Sequence, residues 1–449
     1  MVTRTESAER PACRIGLDLG TSAIKGVLVR ADGLLLKTAE RPIRYDRPRP
    51  GWVEADAEQE LRDVTAVIRE LATAAPGPVD ALAAAGAAGS TLLSDAQGRP
   101  LTPAINWMDR RCADQPPPAL AGLTAKAVRQ VTGWPCLDAF PLAQLAWLLE
   151  HEPERYHAAA HVGMNTDWLL FRLTGNWLMD HSTATTMHLQ DQTRRCWHKP
   201  YLERLGLVET QLPPLTHSGA PTGRLTPEAA AATGLTTDTV AFTGCFDHPA
   251  AARAVGVCAP GQLLLSCGTS WVGFLPADER DSLLAAELLC DPFLSKQGGP
   301  WGGMFSVPAI GPVIHWYVDH IIAPGEMEPW RIFDELAARG TPGAGGLTLD
   351  LSSPPRQIAA EPAQVARAVM EGAARALDAQ LRRLREQGFR FTRAVLVGGP
   401  SRSPIWPGLI AETTGLELAV GSSYAGAEGA ALLAGGAVGM PAPGGPHDD

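Results

Sequence analysis

Two segments of this chain share one texture, and that repetition constrains the fold more than any other feature. Residues 15–29 read IGLDLGTSAIKGVLV and residues 262–274 read QLLLSCGTSWVGF. Each is an apolar run, a Gly-Thr-Ser turn and a second apolar run. Apolar residues at Ile15 and Leu17, resuming at Ile24, Val27 and Val29, predict a strand pair with the Gly and hydroxyl residues where the chain reverses. Gly20 lets the backbone approach a ligand closely, and the amides and hydroxyls of Thr21 and Ser22 can donate to phosphate oxygens. Gly268, Thr269 and Ser270 repeat that set. Asp18, just before the first turn, is placed to hold a hydrated Mg2+ through water rather than to touch the phosphate. For one turn alone, an ordinary hairpin with a buried Asp competes. Two turns suggest an internal duplication, each half offering one hairpin to a cleft that grips a nucleotide polyphosphate.

A third segment, residues 395–406, reads VLVGGPSRSPIW and places Gly398 and Gly399 after an apolar strand. Together the three segments resemble the FGGY carbohydrate kinases, a branch of the actin-like, RNase H-like ATPase superfamily, from about residue 15 to about residue 436. The resemblance implies an α/β fold of two actin-like (RNase H-like) domains flanking an interdomain catalytic cleft. It also implies ATP and Mg2+ as cofactors, and it likens Gly398 and Gly399 to the family's adenine-binding turn. A strand-to-helix turn capped by Ser401 is the plainer reading of those glycines.

Residues 243–251, TGCFDHPAA, put Asp247 in a Gly-containing turn between an apolar strand ending at Thr243 and an Ala-rich helix. A carboxylate at the end of an element can take the proton of an attacking hydroxyl during phosphoryl transfer, so Asp247 is the candidate general base. The segment resembles the family's Gly-Gly-Gly-Asp-Asn, whose Asp has that role. His248 stands at the family's Asn or Gln, a substrate-contacting position, where it can keep a hydrogen bond or add a titrating group. Asp247 as a helix N-cap, with Pro249 in the first turn, is compatible with the same sequence. Lys25, two residues beyond the turn on a strand, reads equally as a phosphate contact or a solvent-facing side chain.

Substrate identity belongs to the first half. Aligned on the following Leu-Leu, Ala87, Ala88 and Gly89 take the place of the Gln, Met and His of xylulokinases, so the wall there is expected to be smaller and less polar. Residues 106–111, NWMDRR, resemble the family's Trp-Asn-Asp-x-Arg, which nominates Trp107, Asp109 and Arg111 as sugar contacts. A structural ion pair between Asp109 and Arg111 is the alternative. Trp134, Phe140 and Trp271 are further wall candidates, although single aromatics usually belong to cores. After Gly346 the family's Gly-Glu-Arg-x-Pro series is absent, and residues 347–356 lead almost directly to a long helix.

Composition excludes several classes. The 449 residues carry 48 acidic against 38 basic side chains, a net charge of -10. Nucleic-acid binding would need clustered Lys and Arg. Eight scattered cysteines without a Cys-x-x-Cys pair suggest buried thiols in a reducing cytoplasm rather than disulfides or zinc. The first residues lack the apolar core of a signal peptide, and no apolar run is long enough to span a bilayer. Helices are expected at 57–71 with Asp56 as cap, at 142–150, at 166–174 stopped by Gly175, and at 361–387, 405–413 and 425–433. The domains are expected at 1–247 and 248–440, with a disordered tail at 441–449.

The sequence thus reads as an ATP-dependent kinase phosphorylating a hydroxyl of a small sugar, ketose or polyol, acting in the cytoplasm without membrane or nucleic acid. Family members often dimerise, and no stretch assigns a surface for it. The alternative is a non-catalytic sugar or nucleotide-binding regulator on the same fold.

Overall fold

The computed structural model describes residues 12–113, 117–135, 138–268, 270–307, 310–353 and 360–436. The first Gly-Thr-Ser segment folds as its alternation dictates. Strand β1 (Cys13–Leu19) pairs antiparallel with β2 (Ala23–Arg30), Asp18 facing Lys25 and Leu19 facing Ile24. Strand β3 (Leu35–Pro42) extends the meander antiparallel to β2. Helix α1 (Ala57–Thr73) is capped by the Asp56 carboxylate, which accepts from the Gln59 amide at 3.1 Å. It buries Val64, Val67, Ile68 and Leu71 in one core with Ile15, Leu17 and Ile24. Gly26 permits this close docking, since a Cβ there would lie 2.6 Å from Val67.

The chain then returns as β4 (Val79–Gly86), parallel to β1. Helices α2 (Phe140–His151) and α3 (Asn165–Thr174) follow, and α3 stops where Gly175 takes φ of 76°. Strand β5 (Pro221–Arg224) pairs antiparallel with β6 (Val240–Phe246), and β6 lies parallel to β4. The sheet order is β5-β6-β4-β1-β2-β3. Helix α4 (Asp247–Ala254) begins at the next residue.

The second half repeats this wiring. Strands β7 (Gln262–Cys267) and β8 (Trp271–Ala277) form the second Gly-Thr-Ser hairpin, followed by β9 (Leu289–Asp291) and β10 (Trp301–Val307), the latter antiparallel to β8. Helix α5 (Pro362–Glu386) precedes β11 (Arg393–Gly398), which lies parallel to β7. Helix α6 (Trp406–Thr414) leads to β12 (Glu417–Val420), parallel to β11. The order β9-β10-β8-β7-β11-β12 has the same core as the first sheet: an antiparallel meander whose first strand is flanked by parallel strands. Helix α5 buries Val365, Val369, Leu377 and Leu381 beneath it. Helix α7 (Ala425–Ala434) closes the described chain.

Contacts divide the chain into two units. One holds the residues up to Ala254, Asp291–Lys296 and the segment beginning at Gly426; the other holds Val255–Cys290 and Gln297–Ala425. Helix α4 therefore stays with the first unit, beyond the boundary expected after residue 247. Its Ala250 shares a core with Ala81, Ala83, Cys245, Ala430 and Leu433. The tail at 441–449 lies outside the described residues.

Candidate active site

In the first unit, β1, β4 and β6 are mutually parallel neighbours, with Leu19 in register with Gly86, and Gly86 with Phe246. The residues that follow are Gly20, Ala87 and Asp247. They stand side by side at the carboxyl ends of parallel strands, where open α/β sheets bind ligands.

Strand β6 runs further than the sequence suggested. Gly244, Cys245 and Phe246 stay in the strand rather than forming a turn. Gly244 is required by strand proximity, because a Cβ there would lie 2.0 Å from the Ala84 carbonyl oxygen. The Phe246 amide is held by Ser182 Oγ at 3.2 Å, and Ser182 donates in turn to Asp291 at 2.6 Å. Asp247 follows this pinned end as the first residue of α4. Its Oδ1 accepts from the adjacent His248 amide at 2.6 Å.

Burial raises the Asp247 carboxyl above the ordinary 3.8, against the pull of the His248 amide. Asp18 is raised too, first by burial and then by the charge of Asp247, with Lys25 and His248 opposing. The two carboxyls therefore share one electrostatic neighbourhood. Lys25, facing Asp18 across the hairpin, acts on that carboxyl. Burial lowers His248 to about 4, so near neutral pH its ring is an uncharged hydrogen-bonding group. Its Nε2 lies 3.8 Å from Asp247 Oδ1, and the two side chains keep 19% and 22% of their surface open to solvent.

Asp18 Oδ1 is buried and has no hydrogen-bond partner among the described residues. A hard carboxylate oxygen left in this state fits a hydrated Mg2+, which keeps several waters and takes one or two carboxylates. Helix α7 fixes this group. A Cβ on Gly426 would fall 2.4 Å from Asp18 Oδ2, and one on Gly16 would fall 1.9 Å from the Ala427 carbonyl.

The first turn has its predicted form, with the Gly20 amide donating to Ala23 O at 3.1 Å. Trp107 Nε1 donates to Thr21 Oγ1 at 3.3 Å, tying the NWMDRR segment to the turn. Asp109 and Arg111 stand differently from the expected sugar contacts. Arg111 binds Asp109 through Nε and Nη2 at 2.9 Å each and reaches Glu54 at 2.6 Å. Asp109 also accepts from the Val53 and Arg111 amides. Their side chains are 0% and 2% exposed, and the guanidinium lies over Trp52 at 3.8 Å. Their polar groups are spent on holding the loop, and neither side chain is open to a substrate.

The wall at residues 87–89 has been rebuilt rather than merely emptied. A Cβ on Gly89 would lie 2.2 Å from Phe140 Cδ1. Phe140 adopts φ of 66°, costly for an aromatic residue, and packs edge-on against Trp134 at 5.5 Å. Its ring thus fills the space beside Gly89. At Ala87 and Ala88 the wall opens instead onto a cavity of about 30 Å3. Glu60, Tyr45, Asn106 and Asn165 line it, and of these only Asn106 lay in a segment the sequence had singled out. Glu60 was legible in principle: it is an acid on the buried face of α1, in step with Ala57, Val64, Val67 and Leu71.

In the second unit, Cys267 and Gly398 are register partners on parallel strands. Gly268 and Gly399, which follow them, therefore emerge side by side. A Cβ on Gly398 would lie 2.2 Å from Cys267 O, and φ there is 94°, so glycine is required by both space and conformation. Ser401 Oγ donates to Gly398 O at 2.7 Å, closing the turn. Gly268, Ser270 and Gly399 are exposed, and Thr269 lies outside the described residues.

Two α/β units of actin-like fold, each with a Gly-Thr-Ser hairpin, and a buried acid at a strand end define a phosphotransferase of the sugar kinase type. Residues 13–254 match the N-terminal domain of the FGGY family of carbohydrate kinases, and residues 333–438 match its C-terminal domain. The xylulose kinase of Escherichia coli (strain K12) is 30% identical over 444 residues, 94% of this chain and 89% of that protein. An autoinducer-2 kinase of Salmonella choleraesuis (strain SC-B67) is 26% identical over 483 residues, 98% of this chain and 88% of that one. The crystal structure of xylulose kinase from Rhodospirillum rubrum superposes with a TM-score of 0.80 at 27% identity, covering 95% of this chain and 91% of that one. The chain belongs to the FGGY family of carbohydrate kinases. No helix among the described residues is long and apolar enough to cross a membrane.

Proposed function

We propose that this kinase transfers the γ-phosphoryl group of ATP to a hydroxyl of a small sugar, ketose or polyol, with Asp247 as general base. The observation that carries this reading is the half-buried Asp247 carboxyl at a pinned strand end, in the electrostatic reach of Asp18, whose Oδ1 has no hydrogen-bond partner among the described residues. A carboxyl raised above its ordinary range is a better proton acceptor, and the attacking hydroxyl loses its proton to it. His248, neutral and adjacent, accepts or donates a hydrogen bond to a neighbouring hydroxyl of the acceptor. Trp107 offers an aromatic face for its C–H groups and braces Thr21. Asp109 and Arg111 position that segment without touching substrate. Amides and hydroxyls of residues 20–22 and 268–270 donate to phosphate oxygens, and Gly398 and Gly399 give the purine a bare backbone surface. Asp18 would hold Mg2+ through water, and that ion would neutralise phosphate charge.

The test is ADP release with Mg-ATP against pentuloses, hexuloses, pentitols, glycerol and cyclitols, beside an acceptor-free control. Acceptor-dependent release supports the kinase. ATP and sugar binding without release would instead identify a regulator that kept the fold.

A further inference from the structure

The cavity behind Ala87 and Ala88 has a chemistry of its own. Glu60 Oε2 accepts from Asn165 Nδ2 at 2.6 Å, and this is the only hydrogen bond of that carboxylate among the described residues. Asn165 Oδ1 is buried without a hydrogen-bond partner among the described residues. Tyr45 OH accepts from Asn106 Nδ2 at 3.3 Å, which leaves its own hydrogen to donate. The cavity thus presents acceptors at Glu60 and Asn165 Oδ1 and hydroxyl hydrogens at Tyr45 and at Ser90, whose Oγ accepts from the Asn165 amide, with Thr166, Leu19, Ala87 and Ala88 among its other walls. Buried polar atoms are rarely left unpaired, so this set calls for a partner.

A hydroxyl fits it. With one hydrogen and two lone pairs, it can donate to Glu60 or Asn165 and accept from Tyr45. An ammonium has nothing to accept with, and a carboxylate or phosphate has no hydrogen for the Asn165 oxygen and meets like charge whenever Glu60 is ionised. A second cavity that shares Glu60 adds Asp46, Asp56 and Asp63 against one Arg44, which further disfavours an anion. The volume of about 30 Å3 suits one small polar group or one water.

Position links the cavity to the chemistry. Gly20, Ala87 and Asp247 follow register partners on adjacent parallel strands. Strands are about 5 Å apart, so Gly20 and Ala87, which line the cavity, lie roughly 5–10 Å from Asp247. A carbon chain of a few atoms spans that gap.

We propose that Glu60, Asn165 and Tyr45 form a recognition subsite for a neutral hydroxyl at the end of the acceptor remote from the reacting group. The acceptor is then an uncharged polyol or ketose rather than a sugar acid or a sugar phosphate. This rests on the kinase reading above and narrows its substrate class.

The test uses the full chain with Mg-ATP. Acceptor kcat/KM is measured for D-xylulose against 1-deoxy-D-xylulose and for D-glucitol against D-gluconate, in wild type, Glu60→Gln and Glu60→Leu. Wild type should favour the hydroxyl-bearing member of at least one pair by about 100-fold or more, because the deoxy analogue or the acid leaves buried groups unpaired or repelled. Glu60→Leu should flatten that preference to within a few-fold. Glu60→Gln, which keeps the shape and loses the charge, should lower activity on the polyol or ketose by about 10- to 100-fold through KM and raise relative activity on gluconate. Preference is read within each variant, so partial loss of folded protein does not move it. Turnover with the preference unchanged in both variants overturns the subsite and leaves the kinase standing. Preferred turnover of gluconate by wild type overturns it as well. Absence of acceptor-dependent ADP release in wild type across the wider panel overturns the kinase reading, and the subsite with it.

Discussion

Adding a single methyl group at Gly426 tests how strictly Asp18 must be placed. A Cβ there would lie 2.4 Å from Asp18 Oδ2, 2.7 Å from Cγ and 3.3 Å from Cβ. Ordinary contact begins at about 3.5 Å, so one partner must retreat by about 1 Å. Helix α7 has little room to do so. Gly16 brings β1 against it, and a Cβ on its Gly429 would be 1.9 Å from the Ala250 carbonyl of α4. The Asp18 carboxylate is the softer partner and should turn away. A displacement of about 1 Å in a catalytic assembly can cost about 100-fold. That corresponds to about 2.7 kcal/mol of barrier. Overpacking should also remove about 1–3 kcal/mol of stability. Steady-state ADP release at saturating Mg-ATP and acceptor, with thermal unfolding of the same samples, measures both. We expect Gly426→Ala to fold, to melt several degrees lower and to lose about 100-fold in kcat. Wild-type kcat in the folded variant would refute the reasoning, because the carboxylate's position would then not matter.

Other consequences are as direct. The acid limb of the kcat/KM profile should fall at a pH well above 3.8, since the base must be ionised and burial raises Asp247; a limb near 4 would contradict that assignment. Burial lifts Glu60 from 4.5 to about 7, so the native state takes up a proton that the unfolded chain does not between those values. That contribution makes the protein more stable as pH falls from about 7 toward 4.5 and less stable as pH rises. Glu60→Gln should therefore show a smaller stability gain on acidification than wild type in denaturant titrations, and an identical gain would refute it. Asp109→Ala takes one of two carboxylates from the buried Arg111, which keeps Glu54, and leaves the Val53 amide without its acceptor, so it should cost about 1–3 kcal/mol of unfolding free energy, while Asp109→Asn costs less; a neutral Ala variant would show the Asp109 contacts to be dispensable. Gly89→Ala forces a Cβ into the Phe140 ring at a φ of 54° and should destabilise by about 1–3 kcal/mol, measurable as a lowered urea midpoint.

The hairpins, the long helix over 362–386 and the carboxylate at the end of β6 were legible because their signals are local. Alternation, capping and Gly at a reversal act over a few residues. The Asp109 and Arg111 assignment was not, because whether a carboxylate faces ligand or neighbour depends on Val53 and Glu54, some 55 positions away in sequence. Gly244 reads as a turn residue in sequence, yet it serves the close passage of β4 past β6, a tertiary demand. Phe140 beside Gly89 joins two segments 51 positions apart, so substitution at 89 alone suggested an emptier wall than the one that exists. Glu60 drew no notice in the sequence, because the helix over 57–73 is marked by its apolar spacing and an acid in step with that face carries no local signal of what it meets.

Proton removal from the acceptor by Asp247 is the step on which the proposed function rests. A rapid-quench single-turnover measurement on Asp247→Ala, with Mg-ATP and the acceptor that wild type uses, tests it most directly when paired with calorimetric titration of ATP. The account predicts that phosphoryl transfer falls to background while ATP binds with near wild-type affinity. Transfer persisting at a wild-type rate would contradict it and move the base elsewhere.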